Sequence, residues 1–241
     1  VTLIDSTNLP DSIAETQSFA PQSRRERPAK PALTRERVIA AALDIVNSEG
    51  IAKATMRRIA SELDTGPASL YVYVRNTEDL YAQILDALLA PITPITSEGS
   101  WRERLIGLLA SYTNVLFEHP QIARLSMTTR PSGAHYLAVV ESILTLLSEG
   151  GVPNRGAAWA VDLLLDFATA TAAASEMGAA KSTASVHPAA LEQAITGASS
   201  ERYPYIATLG SEILSGDTSA RFTWGLNVII NGVMSTPRPR P

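Results

Sequence analysis

Asp162 and Asp166 stand one helical turn apart inside the apolar run 157–168, and His119, His135 and His187 are available to join them. Paired carboxylates do acid–base work or hold a divalent cation, so an all-helical enzyme built on Asp162 and Asp166 is one reading the residues allow. It is the least favoured. His119-Pro120 and His187-Pro188 fall at loop or helix-start positions, and the chain contains no HExxH, nucleophile elbow or glycine-rich phosphate loop. Zero cysteines remove thiol catalysis, disulfides and thiolate metal sites. No cofactor and no metal are expected, and the two aspartates are expected as dimer-interface partners or polar groups of a pocket.

The other chemistry-bearing residues are basic and clustered. Residues 1–23 carry three acids and no base, residues 24–75 carry ten bases against six acids, and residues 76–241 carry ten against fifteen, which together give the net −4. Half of the positive charge therefore lies in about a fifth of the chain, where an anionic polymer would be drawn. Thr55, Arg57, Tyr71, Tyr73, Arg75 and Thr77 all fall in or beside this segment.

The elements that must position these groups are helical. Hydrophobic residues make up 45% of the 241 residues and aromatics only 6%, a balance that favours an alanine- and leucine-rich all-α protein over a sandwich or barrel. Residues 1–33, which end in an arginine- and proline-containing stretch, lack an apolar period; they are expected to be a disordered arm, more a solvated linker than a DNA contact. Residues 1–19 lack the basic start and apolar run of a secretory signal, and no stretch nears twenty uninterrupted apolar residues, so a cytoplasmic protein without a membrane partner is expected.

Thr34 is placed to cap a first helix carrying Val38, Ala41, Ala42, Ile45 and Val46, which Gly50 stops. Thr55 caps a second, short helix with Ile59, Ala60 and Leu63 inward and Arg57 and Arg58 outward. After the turn 64–67, Pro67 suits the first turn of a third helix, expected over 67–74. Two short helices behind a longer support helix have the outline of a helix-turn-helix. A long helix follows over 76–89, then helical patterns over 101–117, 121–125, 134–149, 156–180, 205–214 and 218–234. Residues 181–200 read as a loop with at most a turn or two of helix.

The run 157–168 is apolar almost all round, and the final helix has one stripe of Phe222, Leu226, Ile229, Ile230 and Val233 and a second flank of Trp224 and Val228. Helices with two faces to bury need more cover than one chain supplies, so a symmetric homodimer is expected, with Ala168, Ala172, Trp224 and Val228 at its interface.

The stretch Thr55-Met56-Arg57-Arg58-Ile59-Ala60-Ser61-Glu62-Leu63, followed by Thr65-Gly66-Pro67-Ala68-Ser69-Leu70-Tyr71-Val72-Tyr73-Val74-Arg75-Asn76 and then Leu80, resembles the DNA-binding signature of TetR-type repressors over roughly residues 34–82. The segment 222–232 is similar to the closing helix of the regulatory domain in the tetracycline-repressor-like branch. Three positions depart from the pattern: Asp64 replaces the usual glycine after the second helix, Tyr73 a common histidine, and Thr77 a frequent lysine. Asp64 can adopt the left-handed backbone, Tyr73 keeps an aromatic hydrogen-bonding tip, and Arg75 can compensate for the charge lost at Thr77.

The resemblance implies a helix-turn-helix domain over 34–80, a helical regulatory and dimerisation domain over 81–236, and transcription regulation at double-stranded DNA. Thr55 and Arg57 would face phosphates or a groove edge, Tyr71 and Tyr73 would donate to phosphates, and Arg75 and Thr77 would hold the flanking backbone. From Thr65 onward, Gly66, Pro67, Ala68, Ser69 and Val72 would form the front that approaches base edges. A dimer would read a palindromic operator. A small apolar or amphipathic effector would enter a cavity among the helices of residues 101–180, releasing the operator through the helix 76–89. Large or polar groups on apolar faces are the lining candidates: Leu88, Tyr112, Leu116, Arg124 and Met127, then Tyr136, Trp159, Leu163 and Phe167. The alternative is a DNA-binding dimer without an effector.

Overall fold

The computed structural model describes residues 32–92, 98–127, 131–180 and 188–239, with side chains from 175 to 180 and at 188 left aside. The expectations for the arm before residue 32 and for the loop 181–187 lie outside the described residues. Thr34–Pro241 form one compact unit. Among the described residues every regular element is a helix.

Local capping fixes most of the boundaries. Helix α1, Arg35–Glu49, starts where the Thr34 hydroxyl accepts from the Arg37 amide and stops at Gly50, whose φ of 87° favours glycine. A single 3-10 turn, Ile51–Lys53, which the periodicity does not reveal, buries Ile51 and leads to α2, Met56–Glu62, capped by Thr55. Asp64 follows with φ 48°, the left-handed conformation expected of it.

The third helix is shorter than expected. Helix α3 spans Pro67–Leu70 only; beyond it Tyr73 and Val74 both donate to the Leu70 carbonyl, so the chain tightens into a turn instead of continuing to 74. Val72, Tyr73 and Val74 are poor helix formers, and only Leu70 and Val74 of this stretch are buried to hold it.

Helix α4, Thr77–Leu88, is capped by Asn76, and α5, Trp101–Glu118, opens with a reciprocal pair in which Ser100 and Glu103 satisfy each other's amides. Then come α6, Pro120–Ser126, α7, Ala134–Glu149, and α8, Asn154–Ala180. Helix α9, Pro188–Thr196, lies in the stretch expected to be mainly loop; its nine residues pack on α10, Pro204–Leu214, which explains a helix that local pattern alone understates. No residue of α10 is buried, and Leu191, Tyr205 and Leu209 stay exposed on the pair. Helix α11, Thr218–Ser235, is capped by Asp217.

Helix α8 is the axis of the body, packed against α5, α6, α7 and α11. Leu105, Leu109, Leu116 and Leu164 are fully buried there, each worth roughly 1.5–3 kcal/mol relative to exposure. Where α11 crosses α8, Phe167 and Phe222 stack with centroids 5.7 Å apart, and a Cβ at Gly225 would collide with the Phe167 ring. Residues Asn154–Ala174 are long and apolar enough to cross a membrane, but half of that window is already buried within the chain. The support helix α1 packs on α2 and α4, and α4 continues to α6 and α7, so one helix touches both the N-terminal head and the body.

Candidate nucleic-acid interface and helical body

Of the expected DNA-contacting residues, Thr55 and Arg57 lie at the start of α2, and those from Thr65 to Thr77 fall on one largely exposed stretch of the head. Leu70 and Val74 anchor it in the core, while Gly66, Pro67, Ala68, Ser69 and Tyr71 are exposed, and Val72 is 80% exposed. An aliphatic side chain left so open between two buried neighbours is available for contact, and small groups ahead of it allow a close approach to base edges. Thr65 and Tyr73 are half-buried, and Thr77 is exposed at the first position of α4.

Two adjacent arginines that the sequence leaves equivalent differ sharply. Arg58 donates to Glu49 and to Glu62, each at 2.7 Å, and those carboxylates hold its guanidinium above the ordinary value. Arg57 is exposed and has no ion pair among the described residues. The free cation of the pair is thus Arg57. The Thr55 hydroxyl accepts from the Arg58 amide at 3.2 Å, so its oxygen serves the helix start while its O–H stays available to donate.

The far edge of the segment is tied to α4. Asp79 accepts from the Arg75 amide at 2.8 Å and lies 3.5 Å from its guanidinium, whose side chain remains open to solvent. Burial pushes the Asp79 carboxyl up, but the Arg75 amide, the Gln83 side chain and the Arg75 guanidinium outweigh it and hold the group below the usual aspartate value. Gln83 donates to the Tyr73 carbonyl at 3.2 Å and accepts from Arg35 at 2.9 Å.

In the body the expected lining residues separate into groups. Tyr112 and Leu116 of α5 and Tyr136 of α7 are buried, and the Tyr112 hydroxyl meets Thr169 of α8 at 3.2 Å. Thr169 is a buried polar group that sequence reasoning missed; its only signal was a hydroxyl residue inside an alanine-rich run. Phe167 is half-buried on Phe222, Leu88 is half-buried on α4, and Arg124 and Met127 are exposed on α6. Trp159 and Leu163 stand apart from these. They point away from the core of α8 into a groove of about 330 Å3 shared with Ile229 and Val233 of α11, where Arg238 stacks 3.9 Å from the Trp159 ring.

The interface candidates divide. Ala168 and Ala172 are 0% and 1% exposed within the single chain, so α8 turns them toward its own neighbours. Trp224 and Val228 do face outward, Trp224 with 71% of its surface exposed. Asp162 and Asp166 lie on the same outward side of α8 as Trp159 and Leu163. Among the described residues, no group of three or more His, Asp or Glu is placed to hold a metal ion.

Where head meets body, a cleft of about 470 Å3 opens between the end of α1, with Gly50 and Ile51, and the turn from α5 to α6. His119 lines it, and burial holds its imidazole below the ordinary value against the pull of Glu118.

With this geometry in hand, the likeness to known proteins is extensive. Residues 38–84 match the family described as bacterial regulatory proteins, tetR family, and residues 93–236 match the tetracyclin repressor-like C-terminal domain. A transcription regulator of known structure from Streptomyces coelicolor is 44% identical, with 88% of this chain and all of that one covered at a TM-score of 0.74. ActR from Streptomyces coelicolor, solved in complex with actinorhodin, is 31% identical over 84% of this chain and 96% of its own, with a TM-score of 0.72. The class A tetracycline repressor protein of Escherichia coli is 30% identical, over 81% of this chain and 88% of its own length.

Proposed function

From the premise that this chain belongs to the TetR family of bacterial regulatory proteins and is a DNA-binding transcription regulator, we propose that two subunits together repress transcription at a palindromic operator until a small molecule releases them. The observation that carries this reading is the exposed segment 65–77, buried at Leu70 and Val74, flanked by the unpaired Arg57 and fastened to α4 by Asp79 and Gln83. Thr55, Arg57, Tyr71, Tyr73, Arg75 and Thr77 take the phosphates, which fixes register, and Gly66 to Ser69 with Val72 approach the bases.

The second copy supplies the cover that α8 and α11 lack. Trp159, Leu163, Trp224 and Val228 are large apolar groups on neighbouring outward stripes, and a patch of this kind on a soluble chain marks a protein interface. Two heads related by a two-fold axis read the same half-site in opposite directions, which makes the operator palindromic, and their fixed separation sets the half-site spacing.

The effector occupies the body between α5 and α8, with Tyr112 and Thr169 as polar anchors and Leu116, Tyr136, Phe167, Leu88, Arg124 and Met127 as further contacts. ActR was solved with actinorhodin and with (S)-DNPA, and the curated relatives include tetracycline repressors, which supports a small-molecule signal here. The work is done in the cytoplasm, where bacterial DNA lies.

Selection of fragments from a random duplex pool, using the full chain, tests the core of the proposal. An enriched palindrome is expected, and a pool that stays random at low salt defeats it. Thermal shift against a metabolite panel that includes actinorhodin and tetracycline, followed by release of labelled operator, tests the signal. Retention of DNA with every bound compound would replace the sensor with a DNA-binding dimer that has no effector.

A further inference from the structure

Helix α7 begins without a cap of its own. Its N-cap residue is Gly133, which offers no side-chain acceptor, although a helix start leaves several backbone donors unpaired. The acceptor comes from α4. Asp86 accepts from the Tyr136 amide at 2.8 Å through Oδ1, and its Oδ2 lies 3.2 Å from His135 Nδ1. A Cβ at Gly133 would run into that carboxylate, so glycine is what allows the approach. The Asp86 side chain is only 16% exposed, which leaves water little room to take over, and a carboxylate at this end of a helix is also favoured by the helix dipole.

The same helix face holds the head. Asp79, Gln83 and Asp86 recur at four- and three-residue spacing, so they form one stripe along α4. At one end of the stripe Asp79 takes the Arg75 amide and Gln83 takes the Tyr73 carbonyl; at the other Asp86 takes the first turn of α7.

We propose that Asp86 is a positioning residue for DNA binding: by capping α7 from α4 it fixes the reading segment relative to the helical body. The inference rests on the reading of residues 55–77 as the DNA-contacting surface. A shift of the first turn of α7 either carries α4 with it, and Gln83 and Asp79 with α4, or breaks the Asp86 contact. DNA held by the head must equally be felt at Tyr136, because coupling between two equilibria is reciprocal.

The test separates the link from the cap. Asp86→Ala removes both. The double variant Asp86→Ala with Gly133→Ser gives α7 a hydroxyl at an extended N-cap position, φ −81° and ψ 174°, in the space that the carboxylate leaves. It restores the cap and leaves α4 unlinked. Hydrogen exchange at the Tyr136 amide is read on the full chain, with and without a duplex recovered by selection. In the natural chain the duplex slows exchange there by about fivefold or more, the lower range of ordinary coupling. In the double variant, exchange without DNA returns to the natural rate, the DNA-dependent slowing disappears, and affinity for the duplex drops. Asp86→Asn, whose carboxamide oxygen still accepts from Tyr136, keeps the response and guards against a double variant that does not fold. A double variant that still slows on DNA binding, an Asp86→Asn chain that does not, or a natural chain without the effect overturns the proposal. Failure to recover any duplex defeats the DNA-binding reading and the coupling with it, whereas a good duplex without a response at Tyr136 defeats the coupling alone.

Discussion

Among the described residues, the tip of the head and the outer face of α8 and α11 are two surfaces this chain leaves unfinished, and they are unfinished in different currencies. The tip exposes small and hydroxyl-bearing residues, Gly66 to Ser69 and Thr77, beside the unpaired Arg57. The outer face exposes Trp159, Leu163, Trp224 and Val228. The first gains from neutralising phosphate charge and from close approach, the second from removing apolar area from water. Salt should therefore separate them: ions compete for the tip and leave the hydrophobic face largely untouched. One molecule that needs both must be a dimer before it is a good reader of DNA.

The largest expected effect breaks this dependence. Trp224→Glu places a charge where a buried aromatic anchor is proposed, and loss of such an anchor weakens association by about 2–4 kcal/mol, or roughly 30- to 1000-fold. Sedimentation should show a folded monomer, and operator binding should fall with it. A Trp224→Glu chain that still sediments as a dimer would move the interface elsewhere. Next comes the salt contrast. If Arg57 and Arg75 of two subunits neutralise four phosphates, the logarithmic slope is near −3.6, so raising salt from about 50 to 200 mM weakens operator binding by about 150-fold. Dimerisation over the same range should hardly change.

A smaller effect lies within the tip. Arg57→Ala should weaken binding to every duplex and reduce the salt slope by about 1 for each phosphate lost, whereas Ser69→Ala should alter preference at one base position and leave the slope alone. Equal losses for the two variants on all sequences would erase the distinction between holding and reading. Arg58→Ala is the control: its charge is spent on Glu49 and Glu62, so its effect should fall on stability.

How much of this was legible in the sequence depended on whether the deciding partner was near in the chain. Caps act over three residues, so Thr34 and Thr55 announced their helices, and the span of α7 follows from its own apolar period. The motif 55–77 was legible because its order of small, aromatic and basic residues is itself the surface proposed to meet DNA. The facing of α8 was not. A helix apolar on nearly every side gives no phase, so only its packing against α5, α6, α7 and α11 decides that Ala168 and Ala172 turn in and Trp159 and Leu163 turn out. The end of α3 at Leu70 and the helix Pro188–Thr196 are likewise set by tertiary cover. Asp86 offered one faint signal: a helix that starts at Gly133 with no capping side chain must borrow one.

The smallest effect expected is one of acid, and it belongs to the head. Asp79 titrates below the usual aspartate value of 3.8 in the folded chain, because the hydrogen bonds from Arg75 and Gln83 outweigh the effect of burial. The unfolded chain then takes up the proton more readily than the folded one, so stability from Asp79 is complete above that ordinary value and is lost as pH falls through the lower, folded value. Cooling of the melting temperature should set in below about pH 4 and be shallower in Asp79→Asn, which no longer titrates yet still accepts from the Arg75 amide. Between about pH 6 and 8 the two chains should show the same pH dependence, since Asp79 is ionised in both folded and unfolded states there. The protection factor of the Arg75 amide, exchange corrected for its intrinsic slowing in acid, should fall ahead of that of the α8–α11 core, because protonation weakens the bond that fastens this segment to α4. If Asp79→Asn keeps the full acid slope, the lability resides in other carboxylates and the segment is fastened by Leu70, Val74 and Gln83 without help from the Asp79 charge.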